Sequence, residues 1–216
     1  MTNANQNCQP YMTVSADRPD HAQMVAGAVF ERASIPCLLL TAPSTGSYDI
    51  SAAGNIMELC RAHDAAFLIE NDIGTAVELG ADGVHIIADA ATYNEARARL
   101  GADIQIGVAC GNSRHQAMQF AENGADYIAF GDTQSDITSQ AHDRETIRMI
   151  AWWSDLFEIP CVAWCARDGD AARRCIENGA DFIALAGEHW IEGDQMAADM
   201  DALFAISPPA NNGRDQ

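Results

Sequence analysis

In ENGADYIAFG, residues 122–131, a helical stretch stops at a glycine and a short apolar run begins three residues later. The same phrase stands at GADG (80–83) and GADF (179–182). Each copy follows an Ala/Glu-rich stretch of helical period: AVEL (76–79), HQAMQFAEN (115–123) and ARRCIEN (172–178). Each precedes a β-branched or aromatic run: VHII (84–87), YIAF (127–130) and FIAL (182–185). The glycine can take the left-handed conformation that ends a helix, and the Asp suits the turn into the next strand. Helix, tight turn and buried strand, repeated along one chain, argue for a parallel sheet wound by crossovers. GADI (101–104) is a weaker fourth copy.

Working outward from these copies gives eight strand–helix units. The spacing predicts strands at 11–14, 37–41, 66–69, 84–87, 104–108, 127–130, 161–164 and 182–185. Helices are predicted near 20–33, 51–63, 73–79, 91–99, 114–122, 143–156, 169–178 and 191–204, with Ser113 as N-cap of the fifth. The strands are short, apolar on both faces and never joined by hairpin turns, as expected of parallel strands buried on both sides. The fold class read from this is α/β, a (βα)8 TIM barrel in a single domain over 10–206. Residues 1–9 and 207–216 read as disordered tails, and an open doubly wound sheet is the alternative. In a barrel the residues just after each strand build the active face.

The 216 residues carry a net charge of −19, from 31 acids against 12 bases, and every base is an arginine. Such a surface repels nucleic acid and anionic membranes, so neither is an expected partner. With no lysine, any mechanism that needs a lysine amine is excluded. No apolar run approaches the roughly 18–20 residues that span a bilayer, and the start lacks the blocks of a signal peptide, so a cytoplasmic location is expected. Seven cysteines without metal-type spacing read as reduced core thiols, with Cys161 and Cys165 on one strand face as a weaker redox pair.

After strand three, Glu70-Asn71-Asp72 would point into the mouth, where carboxylates can hold a hard cation; equally, Asn or Asp can cap the next helix. Asp89 after strand four carries the same two readings. The loop from Gly131 through Asp132 and Thr133 to Ser139 offers amides and hydroxyls to a phosphate, with its acids opposing that use. Arg18, Arg114 and Arg167 are the candidate cations of the active face. His85 inside strand four reads as a core residue, and His115 at the start of helix five as a weak acid/base candidate. Trp152, Trp153 and Phe157 read as a cover for the barrel or as a subunit contact.

These segments resemble thiamine-phosphate synthases. FLIENDIGTAVELGADGVHI (67–86) is similar to the family's F-I-I-N-D-x-x-x-x-A-x-x-x-G-A-D-G-V-H-L-G-Q-x-D. IQIGVACGNSRHQAMQFAENGADYIAFG (104–131) and IPCVAWCARDGDAARRCIENGADFIALAG (159–187) resemble its I-G-x-S and P-V-V-A-I-G-G-I segments, each with its following helix and G-A-D turn. The resemblance is clear over about 67–190 and weak before it. It implies a (βα)8 barrel that joins a hydroxymethylpyrimidine diphosphate to a thiazole phosphate and releases pyrophosphate, with Mg²⁺ and basic residues neutralising the leaving group. It implies Asn71, Gly131 and Gly187 as substrate- or phosphate-binding residues and Asp72 and Asp89 as metal ligands. Thr133, as a hydroxyl of the loop after strand six, and Arg167, as a cation in place of the family's lysines, complete the phosphate-binding set read from the residues themselves. The partner implied is a small phosphorylated heterocycle; a homo-oligomer is left open.

The departures concern charge. The family's Gln-x-Arg-Glu-Lys after strand two is LLLTAPST (38–45), its G-P-x-F-P-T-x-T-K loop is GDTQSDITSQ, and its G-G-I of strand seven reads WCA (164–166). Removing one oxyanion donor costs about 3–4 kcal/mol of transition-state stabilisation, so losing several predicts slow turnover. Three readings follow. The first is an active or weakly active synthase, the second a non-catalytic or repurposed small-molecule-binding barrel, and the third a thiazole-tautomerase-like enzyme using His115 or a mouth carboxylate.

Overall fold

The computed structural model describes residues 8–131, 140–164 and 169–191 together with Ala202 and Phe204. Eight parallel strands close into a barrel in sequence order. They are β1 (Gln9–Ser15), β2 (Cys37–Thr41), β3 (Ala66–Glu70), β4 (Gly83–Ile87), β5 (Gln105–Gly111), β6 (Tyr127–Gly131), β7 (Cys161–Trp164) and β8 (Phe182–Ala186). The crossovers are α1 (Pro19–Arg32), α2 (Ile50–Ala62), α3 (Ile73–Leu79), α4 (Ala90–Leu100), α5 (Arg114–Glu122), α6 (Gln140–Leu156) and α7 (Gly169–Glu177), with α8 (Glu188–Ile191) following β8. Ring closure by β1 on β8, from Gln9↔Phe182 to Thr13↔Ala186, rules out the open sheet.

The three repeats do the same work three times. Gly80, Gly124 and Gly179 have φ of 66°, 89° and 95°, the left-handed turn the sequence required. The next residue's N–H reaches back into the helix each time, from Ala81 to Ala76 O, Ala125 to Phe120 O and Ala180 to Cys175 O. The Asp then reaches sideways. Asp82 accepts from Phe67 N–H at 2.8 Å, Asp126 from Ile106 N–H at 2.7 Å and Asp181 from Cys161 N–H at 2.8 Å. Each carboxylate thereby fastens the foot of the preceding strand to the strand it introduces. At GADI, Gly101 has φ 77° and ψ −162°, and Arg97 holds the turn instead, donating to Gly101 O, Ile104 O and Gly124 O and pairing with Asp126 at 2.8 Å.

Alternate residues sort to the two faces of the ring. Met12, Leu38, Leu40, Phe67, Ile69, Val84, Ile106, Val108, Ile128 and Ile183 pack outward under the helices in the main core. Tyr11, Leu39, Leu68, Tyr127, Ala129, Val162 and Ala184 fill the interior. Trp153 is fully buried, stacks on Phe157 at 4.0 Å and donates to Ile159 O at 2.7 Å, so the aromatic run on α6 covers the barrel wall.

Several boundaries differ from the sequence reading. β1 starts at Gln9, inside the stretch read as tail, because its N–H bonds to Asp181 O at the closing seam. β5 continues to Gly111, past the expected 108, because a bulge at Ala109/Gly111 keeps pairing with β6 while Gly111 takes φ 53°. α6 begins at Gln140 rather than 143, and α8 opens at Glu188 rather than 191. Residues 1–7 and 207–216, most of the expected last helix, the greater part of the 132–142 loop and Cys165 lie outside the described residues. Cys8, Cys37, Cys60, Cys110, Cys161 and Cys175 are free thiols.

Candidate functional site

The C-terminal rim gathers the ends of β3, β4 and β5. Asn71 takes a left-handed φ of 54° directly after β3. Its N–H donates to His85 O and its Oδ1 accepts from Ile87 N–H at 3.0 Å, so the side chain ties β3 to the end of β4. Asp72 caps α3, accepting from Thr75 N–H at 2.9 Å and from the Thr75 hydroxyl at 3.0 Å. Asp89 caps α4 in the same way, with Thr92 N–H and hydroxyl both at 2.8 Å; these donors hold its carboxyl below the usual range. Ser113 caps α5 as expected, accepting from Gln116 N–H. Each proposed metal ligand is therefore also an N-cap, so the two sequence readings describe the same side chains. No group of three His, Cys, Asp or Glu suited to a metal forms among the described residues.

Glu70 ends β3 half-buried. Its carboxylate accepts from Ala42 N–H at 2.7 Å, and burial raises its pKa against that bond. The Tyr48 hydroxyl lies 2.7 Å from Glu70 O, holding the loop after β2 against the end of β3. Below the rim, the Tyr11 and Tyr127 hydroxyls are 2.8 Å apart and Tyr127 lies 2.9 Å from His85 Nδ1. Burial lowers the His85 pKa to about 4, so its imidazole is neutral at physiological pH. His85 Nε2 and Trp164 Nε1 are enclosed without a hydrogen-bond partner, their rings 5.4 Å apart. The reading of His85 as a core residue holds, but the hydroxyl chain it joins was missed. No local pattern announces it: the tyrosine fits because residue 107 on the neighbouring strand is a glycine, where a Cβ would collide with the Tyr127 ring.

The other named residues separate. Gly131 has φ 98° and brings β6 against Trp164 O, which a Cβ would meet at 2.8 Å. The Gly187 N–H donates to Thr13 O at 2.8 Å, and a Cβ there would meet Val25 at 2.5 Å, so its close contact is with α1 and its amide is engaged in the ring. His115 is exposed on α5. Arg18 pairs with Glu188 at 3.4 Å, and Arg114 lies 4.6 Å over the Trp152 ring. Thr133 and Arg167 lie outside the described residues.

Fold and rim together define a small, single-domain (βα)8 barrel with its polar loops at the C-terminal ends of the strands. The family model for thiamine monophosphate synthase matches residues 45–188, and the chain belongs to that family. The match takes in α2, upstream of where the sequence resemblance was clear. Over 145 residues the chain is 46% identical to the thiamine-phosphate synthase of Erythrobacter litoralis (strain HTCC2594), covering 66% of this chain and 68% of that protein. It is 32% identical over 186 residues to that of Rhodospirillum centenum (strain ATCC 51521 / SW), covering 85% and 90%. A thiamine phosphate pyrophosphorylase from Pyrococcus furiosus shares the fold with TM-score 0.72 at 18% identity, over 93% of this chain and 97% of that one. No helix among the described residues is long and apolar enough to cross a membrane.

Proposed function

We propose that this chain is a slow transferase of the thiamine-phosphate synthase type, acting on phosphorylated heterocycles at the C-terminal mouth. One observation carries the reading: Asn71-Asp72 and Asp89 stand at the ends of the adjacent strands β3 and β4, within the matched segment. In the reaction the thiazole nitrogen lone pair forms a bond to the methylene carbon of the pyrimidine. The carbon–oxygen bond to the diphosphate breaks, and pyrophosphate leaves with that electron pair.

Mg²⁺ takes hard oxygen donors, typically one or two carboxylates completed by water and ligand phosphate, and Asp72 with Asp89 fits that donor set. When bound there it would neutralise charge on the departing diphosphate. The chain's own part is orientation. Thr75 and Thr92 fix the two carboxylates by paired donors. Asn71, its oxygen held by Ile87 N–H, keeps its amide NH2 for a ring nitrogen or a phosphate oxygen. The neutral His85 and the two tyrosines fill the barrel interior without adding charge to it. Slow turnover follows from the absence of any lysine.

The test is release of pyrophosphate by the purified chain with both substrates and Mg²⁺. Asp72→Asn keeps a capping side chain and removes the charge. It is expected to abolish Mg²⁺-dependent turnover while leaving thermal stability close to that of the parent; unchanged turnover refutes the metal assignment. The missing lysines also favour a second reading, a barrel that binds thiazole phosphate without coupling it. Binding without product formation would select that one.

A further inference from the structure

We propose that Arg114, Arg144 and Arg148 form an anion subsite for a phosphate or diphosphate group, set beside the mouth between α5 and α6. A cavity of about 570 Å³ is lined by Asn112, Arg114, Arg144, Glu145, Arg148 and Met149. Three of the chain's 12 basic residues thus converge on one cavity in a molecule of net charge −19. Among the described residues no carboxylate pairs with any of the three, although Arg18, Arg61, Arg97 and Arg99 all have acidic partners. Glu145 lines the cavity as its one acid.

Three guanidinium groups facing one space repel one another, and Arg144 and Arg148, four apart on α6, share a helix face. An anion entering the cavity relieves that repulsion. A phosphate suits it because guanidinium forks match phosphate oxygens in bidentate pairs. Arg114 is oriented by its place 4.6 Å over the Trp152 ring, an arrangement that holds the cation without neutralising it. Asn112 adds an enclosed Oδ1 that has no donor. The remaining proton of a phosphate monoanion supplies one.

The cavity adjoins the proposed active face. Asn112 follows β5, Ser113 caps α5, and Gln116 on α5 donates to Ala88 O next to Asp89. In a protein whose overall field repels phosphorylated ligands, such a patch decides where one can approach. The inference rests on the proposed function only for the origin of the anion, as a substrate's phosphate. A free anion acting as regulator would use the same chemistry.

Calorimetric titration of the full chain with inorganic pyrophosphate, and separately with orthophosphate, at constant ionic strength tests the site without requiring turnover. Saturable pyrophosphate binding is expected, at least tenfold weaker in the double variant R114Q/R148Q and unchanged in R61Q, whose arginine pairs with Glu58. Tryptophan emission is expected to change on binding, and Trp152→Phe to remove that change. Equal affinity in the parent and the double variant, or no saturable binding by the parent, overturns the subsite. Binding lost in the double variant by a chain that makes no product leaves the subsite standing and removes the synthase reading. Given turnover, a raised KM in R114Q/R148Q assigns the anion to substrate, and an unchanged KM with weaker pyrophosphate inhibition assigns it to a free anion; either supports the subsite.

Discussion

At the N-terminal rim, Asp82, Asp126 and Asp181 repeat one device, each carboxylate bonded to a backbone N–H of the neighbouring strand. At the C-terminal rim, Asp72, Asp89 and Ser113 turn instead along their own chain and cap the helices they introduce. The lower rim is fastened strand to strand by this one repeated device, whereas the upper rim combines helix caps with two unlike ties from the end of β3, Asn71 to β4 and Glu70 to the residue after β2. The repeated clamp thus holds strand register at the rim opposite the candidate site. The loops of the upper rim can exchange lysines for acids without disturbing it.

The comparison is tested most severely between the rims, at Gly107 on β5. Gly107→Ala sets a methyl group against Tyr127. It is expected to cost about 3 kcal/mol, measured by urea unfolding, at the upper end of overpacking effects. A loss under about 1 kcal/mol would show that the tyrosine layer is loosely held. His85 gives a pH-dependent effect of similar size. Its folded pKa of about 4 lies below the unfolded value of 6.5, so the unfolded chain binds the extra proton between these limits. Stability therefore rises with pH across that window, by as much as about 3 kcal/mol relative to His85→Gln, which lacks the titration. Parallel pH profiles for parent and variant would refute it.

Asp126→Ala breaks two bonds, to Ile106 N–H and to Arg97. It should cost about 2 kcal/mol by denaturant midpoint, while Asp103→Ala in the fourth, unclamped copy stays within about 0.5 kcal/mol. Equal losses would mean that the clamp is not what distinguishes the copies. Among the clamps and caps the smallest effect is expected at Asp89→Ala, where loss of an exposed cap lowers the thermal midpoint less than loss of the Asp126 clamp; a larger drop than at Asp126→Ala would reverse the ranking of the two rims.

Periodicity made the ring legible because buried parallel strands and helix-ending glycines leave a local record. The three left-handed glycines and the Ser113 cap were readable in this way. What could not be read was lateral. Nothing local to Asp126 shows that its carboxylate crosses to Ile106, and nothing local to Tyr127 shows that it needs an empty place at Gly107. The site was half legible for the same reason. Asp72 and Asp89 could be placed at the ends of their strands from spacing alone. The arginine cavity was hidden, because Arg114 and Arg148 lie on different helices and meet only once the ring has closed.

Because each clamp joins a strand to its immediate successor, β3–β4, β5–β6 and β7–β8 are pairs clasped at the lower rim. Among the described residues a carboxylate crosses the β2–β3 seam only at the upper rim, from Glu70 to Ala42 N–H, and the β4–β5 seam carries no such clasp. New chain ends cut into a seam, such as the turn at 101–104, would leave all three pairs intact, whereas a cut inside a pair would divide one. The barrel is thus assembled from two-stranded tiles, and its permissive points for circular permutation follow the tile edges.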